Sequence, residues 1–172
     1  MNARVVEAIN QQVNSELVAS YTYLAMSAWC ERQKFVGAAR WLRLQSQEEY
    51  MHAMKLLDFL LARDCDVDLK AVGEPHQKFK SLADVFEQAL HHEQQVSKQI
   101  DALYEIAFRE KAFAAVAELQ WFLTEQVEEE KTGREIVGKF KMVGNDPASL
   151  LDMDRELGSR AGADVPPPAA SA

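Results

Sequence analysis

Four long stretches of the chain carry apolar side chains at alternating steps of three and four. The first runs Val6, Ile9, Val13, Glu16, Ser20, Tyr23, Ser27, and the second Leu42, Gln45, Glu49, His52, Leu56, Phe59. The third runs Leu82, Phe86, Ala89, Glu93, Val96, Ile100, Leu103, Ala107, and the fourth Leu119, Phe122, Gln126, Glu129, Gly133, Ile136, Phe140. This spacing lines one face of an α-helix and suits the core positions of a bundle. Strict alternation, the mark of a half-buried strand, finds no long match.

Helix breakers are sparse. Proline occurs only at Pro75, Pro147 and Pro166 to Pro168, and no glycine precedes Gly37. The pattern predicts an all-α chain with α1 over 3–33, α2 over 37–63, α3 over 81–109, α4 over 112–140 and a short α5 over 146–158. Ser81 suits the N-cap of α3, with Asp84 at its third position. Gly144 suits the end of α4, and Asn145-Asp146-Pro147 the start of α5.

The links fix a topology. Short connections around Lys34–Gly37 and Glu110–Ala112 make two antiparallel hairpins. The segment 64–80 between them is long and carries the apolar beads Val67, Leu69, Val72 and Phe79. A helix of about 27 residues is about 40 Å long. An extended segment of about 17 residues spans that distance. The expectation is a packed crossover that leaves α2 and α3 parallel.

Four acidic residues interrupt the apolar stripes. Glu16, Glu49, Glu93 and Glu129 each fall near the middle of a different helix. His52 stands one turn after Glu49, and Gln126 one turn before Glu129. Carboxylates that converge in a core without basic partners cost several kcal/mol each. No Lys or Arg lies on these stripes. Two divalent cations would neutralise the four charges, and hard oxygen donors with one imidazole suit iron. Glu-x-x-His alone is a weak signal; one inward Glu per helix at matching depth is a specific one.

Composition narrows the field. The 172 residues fit one domain, with 48% hydrophobic and 27% charged residues. A formal net charge of −8 without a Lys/Arg stripe argues against nucleic acid as a partner. No apolar run is long enough to span a membrane. The N-terminal stretch lacks a signal-peptide pattern, and Cys30 and Cys65 are too few for a disulfide framework. A cytoplasmic location with free thiols is expected.

With these motifs the chain resembles a non-haem bacterial ferritin from about residue 3 to 158. The matching segments are NSELVASYTYL, EEYMHAMKLLDFLLARD, ALHHEQQV and LQWFLTEQVEEE. The resemblance implies a ferritin-like di-iron four-helix bundle over 1–145, a short C-terminal helix over 146–158 and a Pro/Ala-rich tail over 159–172. It implies one iron held by Glu16, Glu49 and His52, and a second held by Glu49, Glu93 and Glu129 with Gln126 close by. A third iron position matches Glu48, Glu125, Glu128 and Glu129. Tyr23 matches a residue beside the pair implicated in electron donation. The implied activity is ferroxidase: Fe(II) is oxidised with O2 or H2O2, and the ferric product is stored as a mineral in a homo-oligomeric shell of 24 subunits with 432 symmetry.

Two departures sharpen the resemblance. Thr132 follows Glu129 by three, where bacterioferritins and rubrerythrins carry a second histidine ligand. Tyr50 stands where bacterioferritins place the haem-binding Met, so no haem is expected. Trp121 reads as a packing residue, and His91 and His92 as solvent-facing. In that family the last helix packs around fourfold axes, and the leucines of α5 have little to cover on a single bundle. Two rival readings remain. One is a di-iron or di-manganese redox enzyme of the same fold, acting on peroxide or an organic substrate. The other is a metal-free helical scaffold.

Overall fold

In a computed structural model that describes residues 1–160, the chain forms five helices among the described residues: α1 (Ala3–Arg32), α2 (Val36–Ala62), α3 (Leu82–Arg109), α4 (Phe113–Val143) and α5 (Pro147–Gly158). The predicted elements are all present. Only α4 differs by more than a residue or two, running on to Val143 before Gly144 closes it at φ 59°. Ser81 caps α3 by accepting from Asp84 N–H at 3.1 Å. At α5 the cap is Asp146, which accepts from Ser149 N–H at 2.9 Å.

The first three helices end without glycine. Lys34, Asp64 and Lys111 each take a left-handed conformation, with φ of 70°, 53° and 54°. After each, an amide donates back five residues: Phe35 to Cys30, Cys65 to Leu60 and Ala112 to Ala107. This pairing satisfies carbonyls that a helix end would otherwise orphan.

Side-chain contacts give the directions. Ser20 bonds to Ser46 and Ser27 to Ala39, so α1 and α2 run antiparallel. Ser97 donates to Glu130, and Phe86 stacks on Phe140, so α3 and α4 do too. Trp41 meets Phe86 edge-on, and eight residues further along α2, Glu49 feels the charge of Glu93. Helices α2 and α3 therefore advance together, as the crossover requires.

The crossover is packed along α1. Asn10 accepts from Asp68 N–H at 2.7 Å and donates to Asp66 C=O at 3.0 Å. Asn14 repeats the arrangement one turn on, accepting from Lys70 N–H at 2.7 Å and donating to Asp68 C=O at 2.8 Å. Further along, Val72 reaches the Leu17–Leu24 surface, and Phe79 packs edge-on against Trp29. The two asparagine amides thus serve as surrogate peptide groups for an extended strand of chain.

The core has two apolar ends. One contains Tyr23, Met26, Trp41, Leu42, Phe86 and Phe140. The other contains Ile9, Val13, Leu56, Leu60, Ile100 and Phe122. Between them lies a buried polar layer: Glu16, Gln45, Glu49, His52, Glu93, Gln126 and Glu129. Burial pushes the Cys30 thiol up to about 12, so it packs as a neutral side chain.

One expectation needs correction. Helix α5 does cover its own bundle, because Met153 and Leu157 are buried in the first apolar end; only Leu151 stays half exposed. The first two residues of the expected tail, Ser159 and Arg160, lie beyond the end of α5. Ser159 bonds to the end of α5, and Arg160 folds back onto α2. The remainder of that tail, 161–172, lies outside the described residues.

Candidate metal centre

The polar layer forms because each helix turns one acidic residue of its apolar face inward at the same depth. Glu16 is 1% exposed, Glu49 2%, Glu93 3% and Glu129 8%. Among the described residues, one group of three His, Cys, Asp or Glu side chains brings a ligand atom from each within 4.8 Å of the others: Glu16, Glu49 and His52. Helix α2 supplies two of them at i and i+3, and α1 supplies the third.

Neutral amides hold these carboxylates. Gln12 Nε2 donates to Glu16 Oε1 at 2.8 Å, and Gln45 Nε2 to Glu49 Oε1 at 3.3 Å. His52 Nδ1 lies 3.4 Å from Glu49 Oε2, and its ring meets Trp121 and Phe122 edge-on. Glu16 Oε2 is buried with no hydrogen-bond partner. A buried oxygen left unpaired costs about 1–3 kcal/mol, or more when charged. Its position beside two further donors is where a cation would meet it.

The opposite wall is hydrogen-bonded. Tyr23 Oη donates a short hydrogen bond to Glu93 Oε1. Gln126 Nε2 donates to Glu93 Oε2 at 3.2 Å and to its carbonyl oxygen at 3.3 Å. Burial, then the charges of Glu93 and Glu49, raise the Tyr23 phenol well above its ordinary value, so it stays a neutral donor.

The electrostatics show strain in this layer. Burial first, then the charge of Glu49, raises Glu16 well above the ordinary carboxylate range. Burial, then Glu93 and Glu129, does the same to Glu49. Glu129 is pushed up to about 7, by burial first and Glu93 second. Each of these groups resists being charged among its neighbours. Divalent cations in the layer would reverse that preference and satisfy the Glu16 oxygen. The donor set fits iron.

Other sequence-predicted residues fall differently. Glu93 and Glu129 share the layer without joining the tight group of three. Glu48, Glu125 and Glu128 are not drawn into a ligand set with Glu129. Glu128 is solvent-exposed and lies 3.8 Å from Lys131, and Glu125 is half-buried. Glu48 is ion-paired at 2.6 Å with Arg160, a residue that stripe analysis missed because it lies outside the periodic helices. His92 is also turned inward, contrary to expectation. Its ring meets Tyr23 edge-on with centroids 6.0 Å apart, and its Nε2 is buried; His91 is exposed as expected. Trp121 packs on His52, in keeping with its packing role.

Comparison with known proteins agrees with this architecture. The model of the ferritin-like domain family matches residues 6–143. The bacterial non-heme ferritin of Campylobacter jejuni is 41% identical over 157 residues, covering 91% of this chain and 94% of that protein. The bacterial non-heme ferritin of Staphylococcus aureus is 33% identical over 160 residues, covering 93% and 96%. Among solved structures, an open pore ferritin from the hyperthermophilic archaeon Archaeoglobus fulgidus superposes with a TM-score of 0.92 at 42% identity, covering 94% of this chain and 99% of that one. With four carboxylates and a histidine layered between the two halves of its core, this chain belongs to the ferritin family.

Proposed function

We propose that the chain is an iron-storage ferritin subunit that oxidises Fe(II) to Fe(III) inside its bundle and stores the product as a ferric mineral. One observation carries the reading most directly. The unpartnered Glu16 Oε2 is buried beside Glu49 and His52, with their donor atoms within 4.8 Å of one another.

Iron is the substrate here. Glu16, Glu49 and His52 hold one ferrous ion. Glu49, Glu93 and Glu129 hold a second, with Gln126 alongside. Gln12 and Gln45 orient the first two carboxylates, and Trp121 and Phe122 clamp the imidazole. Tyr23 anchors Glu93, and the family resemblance assigns it the role of electron donor beside the pair. Two ferrous ions held together each give one electron to O2 or H2O2. Hard anionic oxygens favour Fe(III) over Fe(II), which assists that transfer. Glu48, Glu125, Glu128 and Glu129 form a further, weaker iron position. Haem has no part in this reading, since Tyr50 replaces the methionine that would bind it.

Storage requires a shell. An apolar face is left open on α1 and the crossover, where Val18, Tyr21, Leu24, Leu69 and Val72 are all more than 40% exposed. A second copy of the chain covers it in a closed homo-oligomer of 24 subunits with 432 symmetry. No described helix is long and apolar enough to cross a membrane. The reading puts the particle in the cytoplasm on the strength of the family resemblance alone.

The test pairs particle size with aerobic Fe(II) oxidation, comparing wild type with Glu49→Ala. The expected result is a particle on the order of 400 kDa or more for both. Wild type oxidises Fe(II) rapidly and retains hundreds of irons per shell, and Glu49→Ala loses the rapid phase. A small particle that keeps only about two irons per chain would identify a redox enzyme of the same fold instead.

A further inference from the structure

Helix α5 delivers a positive charge to the edge of the carboxylate layer. Gly37 and Gly158 touch backbone to backbone: a Cβ built on Gly158 would sit 2.9 Å from Gly37 Cα. That contact fixes where the chain leaves α5. Two residues on, Arg160 lies over the Trp41 ring at 4.7 Å, donates to Gln45 Oε1 at 2.9 Å and donates to Glu48 Oε2 at 2.6 Å. The same Gln45 donates its Nε2 to Glu49 in the centre itself. Arg160 is therefore one side chain removed from Glu49, and it holds the carboxylate at the layer's margin.

We propose that Arg160 is a built-in counter-cation for the Glu48 side of the centre, which an arriving metal ion must displace in order to bind there. The proposal rests on the metal-centre reading above and adds a control to it. A guanidinium stacked on an indole and forked between two acceptors is well held. It is still tied to the chain by a short segment after α5 and about a quarter exposed, so it can swing away without unpacking the bundle. Occupied by Arg160, Glu48 offers no free charge and the margin of the site is closed to cations. Released, Glu48 becomes a ligand beside Glu129, and Gln45 is freed to adjust on Glu49. Arg160 is a positioning residue: it sets metal occupancy at the margin without contributing a ligand.

The test uses Zn(II), which takes the same oxygen and imidazole donors without redox chemistry, titrated into the assembled metal-free protein by calorimetry. Wild type should bind two ions per chain tightly and further zinc weakly. In Arg160→Gln the weak class should tighten by about fivefold, the scale of one part-exposed ion pair, with the two tight ions unchanged. Arg160→Lys, which keeps the charge, should stay close to wild type. Adding Glu48→Gln to Arg160→Gln should erase the gain. In wild type, zinc beyond two per chain should also change Trp41 emission as the guanidinium leaves the ring, and Trp41→Phe should remove that change. Two tight ions with a weak class indifferent to Arg160→Gln would overturn the proposal and leave the metal centre standing. Absence of the two tight ions would overturn both.

Discussion

Asp154 caps Ala38 across 116 residues of chain. The Asp154 carboxylate accepts from the Ala38 N–H at 2.8 Å and also from Gly37 N–H at 3.2 Å. Helix α2 begins at Val36, and its N-cap residue Phe35 makes no side-chain cap, so α5 supplies one. Asp154→Ala should cost about 1–2 kcal/mol, the usual worth of an N-cap, and loosen α5. Gly37→Ala should cost more, because its Cβ would fall 1.8 Å from the Asp154 carbonyl oxygen. Thermal unfolding and protease cleavage near Gly144 check both. An Asp154→Ala protein as stable as wild type would remove the cap from the account.

The asparagine ladder makes a separate prediction. Asn10 and Asn14 each hold the crossover with one accepted and one donated hydrogen bond. Replacing either by Ala should cost about 1–2 kcal/mol and accelerate hydrogen exchange at the Asp68 and Lys70 amides specifically. Leu61 and the helix amides around it should exchange as before. Uniform acceleration across the bundle would mean that the ladder is not a local clamp.

Much of this architecture was legible in the sequence. The three-and-four spacing carried the helices, and the length of segment 64–80 carried the parallel arrangement of α2 and α3. The acidic interruptions carried the buried carboxylate layer, because Glu16, Glu49, Glu93 and Glu129 all stand at core positions of the spacing. What escaped were contacts made by folding alone. Arg160 belongs to no periodic stripe, and Asp154 reads as a polar residue on a short helix. His92 neighbours Glu93 but turns against Tyr23, which needs the α1–α3 packing to be known. Met153 was missed for the same reason: α5 is too short for its stripe to announce which bundle it covers.

Proton release should accompany metal binding. Glu129 sits up to about 7, against an ordinary value near 4.5, and Glu16 and Glu49 are raised as well. A carboxyl raised in the folded state holds a proton that the unfolded chain has lost. The contribution of these carboxyls to metal-free stability is therefore fully present at low pH and lost as pH rises, for Glu129 through the window from 4.5 to about 7. For Glu129 alone the loss is about 3 kcal/mol. Cations bind the deprotonated form, so zinc affinity should climb over the same window. Calorimetry near pH 6.5 in buffers of different ionisation enthalpy should reveal released protons, and the release should shrink by pH 8.5. Buffer-independent heats at pH 6.5 would contradict the raised values.

Tyr23→Phe should leave the fold intact while weakening the second half of the centre. The phenyl ring still fills its place in the core, but Glu93 loses the phenol that anchors one of its oxygens. Fe(II) oxidation should slow severalfold, and zinc stoichiometry should be retained. Oxidation at the wild-type rate would show that Gln126 alone suffices to hold Glu93.

Glu49 is where stability and function oppose each other most sharply. Its carboxylate is 2% exposed, and both Glu93 and Glu129 disfavour its charge. Gln has the same shape, its Oε1 still accepts from Gln45, and its new amide can face His52 Nδ1. In the metal-free protein at pH 7.5, Glu49→Gln should therefore be neutral or stabilising by about 1–2 kcal/mol, as when a buried charge is exchanged for a well-fitted neutral group. With zinc present the order should invert. Wild type gains stability from every ion it binds to the folded state alone. The amide variant, having lost the anion that the proposed function assigns to both ions, should gain little. Thermal midpoints of the two proteins should cross as zinc is added. A metal-free scaffold would show the first effect without the second. A variant less stable than wild type at all zinc concentrations would mean that the Glu49 carboxylate serves the bundle itself.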